Sequence, residues 1–341
     1  MDFLRPVSGT TTDIVESLRT WLEDPTSAPL VVETSGSTGA PKRVLLSRDA
    51  VLASVHASAR RLGASGQWLL ALPPPYVAGV QVICRSLVAG QGPVLLEDHA
   101  SFAEATAALG DTARFVSLVP TQLHRLLDTD VDALRTFHTV LLGGGPIDPA
   151  LRRRAAIAGV HVVGTYGSAE TAGGCVYDGH PLDGVALAFD RDGRIRIAGP
   201  TLFEGYDGDP ALTAEVLVDG WFVTSDAGRL DEDGRLQVLG RVDDMVVSGG
   251  VNVPAPAVAA RLREHPSVLA AEVLGVPDEE WGDRLVAYVV VSTDGLDLDE
   301  ARAWVGEAHP RSWAPRHLVH VDEIPLLANG KPDRVRMRAL R

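Results

Sequence analysis

The sequence predicts an α/β chain: a large N-terminal domain with mainly parallel sheets plus a β-rich subdomain, then a small α+β C-terminal domain. Three observations carry that prediction. Between Leu30 and Gly167, short apolar runs alternate with stretches of helical length and spacing, as in a parallel sheet with helical crossovers. From Val185 to Gly240 the texture changes to short alternating segments separated by Asp192-Gly193 and Asp233-Gly234, dipeptides that close turns. After Arg241-Val242-Asp243-Asp244 the pattern becomes mixed again. A boundary there gives a domain of residues 1–240 and a domain of residues 245–341.

In chain order, the apolar runs 30–33, 68–72, 93–96, 115–119, 140–142 and 160–163 read as strands. Segments 48–62, 79–88, 102–109, 121–127 and 149–158 read as helices between them, with Gly63 and Gly159 as C-terminal stops. Strands 194–198 and 235–239 belong to the β-rich stretch. Beyond that boundary the expected helices are 255–264 and 299–307, and the expected strands are 269–274, 285–291 and 318–321. Pro73-Pro74-Pro75 suits a shaped loop better than a linker, because each ring fixes its own φ.

Composition narrows the class. The 341 residues, 45% hydrophobic, are enough to bury a substantial core. A formal net charge of −14 disfavours a nucleic-acid partner, which needs a basic field. The most apolar stretch, Val77 to Val88, is short and interrupted by Arg85, and Met1 to Pro6 lacks a basic segment followed by an apolar run, so neither a membrane span nor secretion is expected. Cys84 and Cys175 stand in unrelated contexts and read as free buried thiols, which fits a cytoplasm. A homo-oligomer stays open. The 31 basic residues comprise 29 arginines and two lysines, Lys42 and Lys331, both in loops beside glycine and proline. Codon bias can remove lysines but does not choose which remain, so both are candidate phosphate contacts.

Two segments carry chemistry. Thr34-Ser35-Gly36-Ser37-Thr38-Gly39-Ala40-Pro41-Lys42 follows an expected strand and combines hydroxyls, bare backbone and a cation, the means to wrap a polyphosphate. It lacks the Gly-Lys-Ser/Thr ending of a Walker loop. Tyr166-Gly167-Ser168-Ala169-Glu170-Thr171 follows another strand and sets a carboxylate among hydroxyls, where ligands of parallel sheets gather. Glu170 could hold Mg²⁺, with Ser168 near the α-phosphate.

Together these segments resemble the adenylate-forming superfamily of acyl-CoA synthetases, adenylation domains and luciferases, and the resemblance continues in order along most of the chain. Gly143-Gly144-Gly145-Pro146 is similar to the family's loop beside adenine, and Gly199-Pro200 with Gly205-Tyr206 to the turn region after it. Trp221-Phe222-Val223-Thr224-Ser225-Asp226 resembles the segment whose aspartate binds the ribose hydroxyls. Gly240-Arg241-Val242-Asp243-Asp244 resembles the family's hinge, which implies a hinge at residues 241–244 and a mobile C-terminal domain beyond it, with Arg241 on ribose or phosphate and Asp243 as pivot. Ser248-Gly249-Gly250-Val251-Asn252 is similar to the segment brought to the thioester-forming site, though Val251 stands where glutamate is usual. Ile324-Pro325-Leu326-Leu327-Ala328-Asn329-Gly330-Lys331 resembles the motif whose lysine catalyses adenylation.

The resemblance implies an AMP-forming acid:CoA ligase using ATP, Mg²⁺ and CoA. It places Thr34, Ser35, Gly36, Ser37, Thr38, Gly39, Lys42, Gly144, Gly145, Tyr166, Gly167, Asp226 and Arg241 on the nucleotide, and Gly249 and Gly250 on CoA. Lys331, Glu170 and Ser168 become the catalytic set, with Glu170 also the metal carboxylate. Within the superfamily the run Trp68 to Gln81 and the short N-terminal region resemble the 2-succinylbenzoate:CoA ligases of menaquinone synthesis. There a small-molecule dicarboxylate would present one carboxylate to ATP and the other to Arg85, beside Tyr76, which replaces the usual histidine and cannot be a cation near neutral pH. Two alternatives remain: adenylation of another aryl or acyl acid, with a carrier protein as acceptor, and an inactive acyl-adenylate-binding regulator.

Overall fold

The computed structural model describes residues 4–34, 41–242, 245–292, 295–326 and 332–340. The chain divides into two compact units: Met1–Ala188, Arg196–Thr224 and Leu230–Leu236 form one, and Phe189–Ile195, Ser225–Arg229 and Gln237–Arg341 the other.

The first unit is built on a seven-stranded sheet in the order Val94–Leu95, Gly66–Leu70, Ala113–Leu118, Thr139–Leu142, Val162–Ser168, Gly173–Tyr177, His180–Pro181. The first five strands are parallel, and each of the last two pairs antiparallel with the strand before it. Strands covered on both faces are near-continuous apolar runs, as in Thr139–Leu142, where Val140, Leu141 and Leu142 follow a threonine and every position is buried. Helices Phe102–Ala107, Pro120–Thr129 and Pro149–Ile157 supply Phe102, Leu123, Leu126 and Leu151 to a core shared with Leu69, Val116 and Val140. The helix Val77–Val88 is buried over most of its length, Arg85 included.

Three features depart from the sequence reading. The strand Leu30–Glu33 lies outside the parallel sheet, in an antiparallel three-stranded sheet with Arg43–Leu46 and Gly205–Tyr206, since its backbone pairs with Arg43–Leu46 rather than with a strand of the parallel sheet. The strand expected at 160–163 runs instead over Val162–Ser168, so Tyr166, Gly167 and Ser168 are its last residues rather than a loop after it. A helix, Thr11–Glu23, precedes the first expected element, closed by a Thr10–Asp13 capping box and burying Ile14, Leu18 and Trp21.

The β-rich stretch forms a five-stranded sheet, in which Ala186–Phe189, Arg194–Ala198, Trp221–Leu230 and Leu217–Val218 lie in that order and Leu236–Arg241 pairs with Trp221–Leu230. Both expected Asp-Gly turns are present: the Gly193 amide donates to the Asp190 carbonyl and the Gly234 amide to the Asp231 carbonyl, at φ +76° and +75°. Only glycine takes that backbone without strain.

In the second unit, strands Val251–Pro254, Met245–Ser248, Gly282–Val291 and Val268–Asp278 form a sheet, with His317–His320 parallel to Gly282–Val291. Helices Ala255–Arg263 and Leu298–Ala308 bring Val258, Leu262 and Val305 against Val273, Leu285 and Val289. Met337 packs with Leu274, Val276 and Tyr288 in a second cluster. Among the described residues no helix is long and apolar enough to cross a membrane.

Cys84 and Cys175 are free and buried. Burial pushes each thiol up to about 12, from an ordinary value of 9.0. Two outcomes are expected. Neither thiol reacts with iodoacetamide in the native protein, and both react in denaturant, measurable by intact mass. Between pH 9 and 12 the unfolded thiols ionise while the folded ones retain their protons, so their contribution to stability is full below pH 9 and falls as pH rises through that window.

Candidate active site

Strand Leu30–Glu33 and strand Arg43–Leu46 hold the ends of the expected phosphate loop: the Thr34 amide donates to the Lys42 carbonyl at 2.9 Å, closing its neck. Ser35, Gly36, Ser37, Thr38 and Gly39 lie outside the described residues. Lys42 is described, and its Nζ sits over the ring of Tyr206, 5.2 Å from the centroid.

Glu170 follows the strand end on a short 3-10 turn and is only 8% exposed. Its Oε1 accepts a 2.8 Å hydrogen bond from the Tyr206 hydroxyl, and its backbone carbonyl accepts from the Phe203 amide. Burial first, then the Glu170 charge, holds the Tyr206 phenol above its ordinary range, so it remains an O–H donor. The sequence thus places Glu170 and Lys42 separately, and the fold brings both onto one residue. Tyr206 was not among the expected site residues; its signal was its place in the Gly205-Tyr206 turn region.

The backbone around Glu170 is closely fitted. A Cβ at Gly167 would stand 2.1 Å from the Gly173 carbonyl oxygen on the adjacent strand, so only glycine permits this approach. The Ser168 amide donates to Thr171 Oγ1, which in turn donates to the Gly173 carbonyl, while Ser168 Oγ is buried with no partner among the described residues. Tyr166 is half-buried next to these residues. Gly143 leaves the end of strand Thr139–Leu142, donates to the Leu118 carbonyl, and would meet Thr165 Oγ1 at 2.5 Å if it carried a Cβ. Gly144 and Gly145 beyond it are exposed.

On the helix Val77–Val88, Arg85 is 7% exposed. Its Nη2 donates to the Tyr177 hydroxyl at 3.1 Å, and its guanidinium lies 5.1 Å from the centroid of the Trp68 ring. Tyr177 also shares a 2.8 Å hydrogen bond with Ser58. No carboxylate lies within 4.0 Å of Arg85 among the described residues, and its Nε is buried without a partner. One turn earlier Gln81, 1% exposed, has both amide atoms unpartnered among the described residues. Tyr76, at the helix N-cap, is 47% exposed and makes no side-chain capping bond.

The remaining expected residues belong to the second unit. Asp226 is half-buried on the strand Trp221–Leu230, and Arg241 is exposed at the end of Leu236–Arg241. Gly249 and Gly250, at φ +58° and +76°, form the two-residue tip between strands Met245–Ser248 and Val251–Pro254. The Trp281 ring backs Gly249, and the Arg316 guanidinium stacks 3.4 Å from that ring's centroid. Asp243 and Lys331 lie outside the described residues. Among the described residues no group of three or more His, Cys, Asp or Glu side chains could hold a metal ion.

Comparison with known proteins gives a consistent answer. Residues 22–207 match the family model described as AMP-binding enzyme, and residues 257–331 match that of the AMP-binding enzyme C-terminal domain. The chain is 44% identical over 318 residues to a probable 2-succinylbenzoate–CoA ligase of Mycobacterium tuberculosis, covering 89% of this chain and 82% of that one. It is 32% identical to the 2-succinylbenzoate–CoA ligase of Listeria monocytogenes, covering 94% and 71%. Among solved structures it resembles o-succinylbenzoate CoA synthetase from Bacillus subtilis in complex with the acyl-adenylate intermediate OSB-AMP, at TM-score 0.73 and 28% identity, covering 91% of this chain and 69% of that one.

Proposed function

Because the chain belongs to the AMP-binding enzyme family, we propose that it is an AMP-forming acid:CoA ligase converting 2-succinylbenzoate, ATP and CoA to 2-succinylbenzoyl-CoA, AMP and pyrophosphate in menaquinone biosynthesis. In the first step a substrate carboxylate oxygen attacks the ATP α-phosphorus and the bond to pyrophosphate breaks. In the second, the CoA sulfur attacks the acyl carbon, AMP leaves with the bonding pair, and the thiol proton passes to solvent.

The site residues divide the tasks of this scheme. The neck at Thr34 and Lys42 brings a cation to the phosphates, and Ser168, whose hydroxyl lacks a partner among the described residues, donates to the α-phosphate. Gly144 and Gly145 bound the adenine, beside Tyr166 and Gly167. Asp226 takes the ribose hydroxyls, with Arg241 next to the nucleotide, and Lys331 stabilises the charge on the reacting carboxylate and α-phosphate. Asp243 is the pivot that exchanges Lys331 for the Gly249-Gly250 tip, where CoA enters.

A single buried carboxylate fits Mg²⁺, which keeps several waters and binds through one or two carboxylates plus substrate phosphates rather than a protein cage. Glu170 would hold it, and when bound it neutralises phosphate charge. Two free buried thiols support a cytoplasmic setting.

The observation that carries the choice of acid is Arg85. A buried guanidinium without a carboxylate among the described residues needs an anionic partner, and a dicarboxylic substrate brings one. Gln81, one turn away and with no amide partner among the described residues, adds a neutral donor for the same group. Exchange of labelled pyrophosphate into ATP without CoA tests this reading. Exchange is expected with 2-succinylbenzoate and is expected to be about 100-fold slower with an analogue whose second carboxylate is replaced by methyl. Equal exchange with both acids would remove Arg85 from substrate recognition.

A further inference from the structure

We propose that Tyr206 is the positioning residue that keeps the two charges of the nucleotide site apart, its hydroxyl fixing the Glu170 carboxylate and its ring face seating the Lys42 ammonium. The inference rests on the reading of Glu170 as metal carboxylate and Lys42 as phosphate contact. An acidic and a basic side chain in a water-poor site attract each other strongly and tend to collapse into a pair, which would withdraw both from an incoming nucleotide. No Lys42–Glu170 ion pair forms among the described residues. Instead Tyr206 satisfies each charge differently: a 2.8 Å hydrogen bond engages Glu170 Oε1, leaving Oε2 for a cation, and the negative face of the ring receives Lys42 at 5.2 Å.

Tyr206 is held for this task from every side. Its backbone pairs with Val44, two residues after Lys42, so the strand register itself sets ring and ammonium side by side. The Tyr206 amide donates to Thr213 Oγ1, and the Phe203 ring packs edge-on against its ring at 5.1 Å, with Phe222 behind Phe203 at 5.4 Å. The residue is 5% exposed. The same residue supports two groups of opposite charge with two different parts of its side chain, so the parts can be removed separately.

The test uses the full chain and the variants Tyr206→Phe, Tyr206→Met and Glu170→Gln. Three quantities are measured: Mn²⁺ binding in the presence of ATP by electron paramagnetic resonance, ATP binding without divalent cation by calorimetry, and melting temperature. Tyr206→Phe is expected to weaken Mn²⁺ binding about 10-fold, as removal of an outer-shell partner does, with metal-free ATP affinity kept within about 2-fold. Tyr206→Met, which also removes the ring, is expected to weaken both. Unchanged Mn²⁺ affinity in Tyr206→Phe, or identical behaviour of the two Tyr206 variants, would overturn the proposal while Glu170→Gln still abolished Mn²⁺ binding. If Glu170→Gln left Mn²⁺ binding intact, the metal reading of Glu170 would fall and the proposal with it.

Discussion

Replacing Lys331 with alanine is expected to slow acyl-adenylate formation by about 10²–10³, or ~2.7–4 kcal/mol of transition-state stabilisation, the cost of removing one preorganised donor from developing charge. ATP affinity should change little, because the phosphate loop, Glu170 and Asp226 all remain. Single-turnover acyl-adenylate formation with saturating ATP and acid measures the first quantity, and calorimetric ATP titration the second. The thioester step should be spared, since the proposed cycle turns the small domain so that Gly249 and Gly250 replace Lys331 at the reacting centre. Chemically supplied acyl-adenylate should therefore be converted to thioester at nearly the wild-type rate. Equal loss in both half-reactions would instead make Lys331 a structural residue.

The second large effect is expected at Arg85. Substitution by methionine keeps an unbranched apolar stem against Trp68 and removes the charge. For a dicarboxylic substrate, kcat/KM should fall by about 100-fold, corresponding to ~3 kcal/mol, within the range for losing a buried charged partner. For a monocarboxylic analogue it should change little. Stability should move the other way: a buried cation without a carboxylate is costly, and an apolar side chain of similar volume is neutral or stabilising there. Tyr177 retains its hydrogen bond to Ser58, so no hydroxyl is orphaned. A lowered melting temperature with unaltered discrimination between the two acids would assign Arg85 to the core alone.

These two residues also mark where the sequence was and was not legible. The parallel sheet could be read because strands buried on both faces are continuous apolar runs, and the Asp-Gly turns because glycine is required at positive φ. The helix Thr11–Glu23 was missed although its signal was present, a Thr-x-x-Asp capping box followed by Ile14, Leu18 and Trp21 at helical spacing. The placement of Leu30–Glu33 in a separate antiparallel sheet was not legible, since a short apolar run does not encode its partner. The same limit applied to the site. Glu170 and Lys42 were found by local motif, but the Tyr206 that touches both joins positions 36 and 164 residues away, a distance no local period records. The sequence also placed Arg85 on an apolar helix, and only the fold reveals that no described carboxylate approaches it.

The most direct measurement is identification by mass of the product made by the purified protein from ATP, Mg²⁺ and CoA with a panel of carboxylic acids, alongside pyrophosphate release. Formation of 2-succinylbenzoyl-CoA with AMP and pyrophosphate, about 100-fold faster than thioester formation from monocarboxylic analogues, is the predicted result. Pyrophosphate release with a different acid alone would leave the adenylating chemistry and contradict the assigned substrate. Absence of release with every acid would contradict the ligase itself.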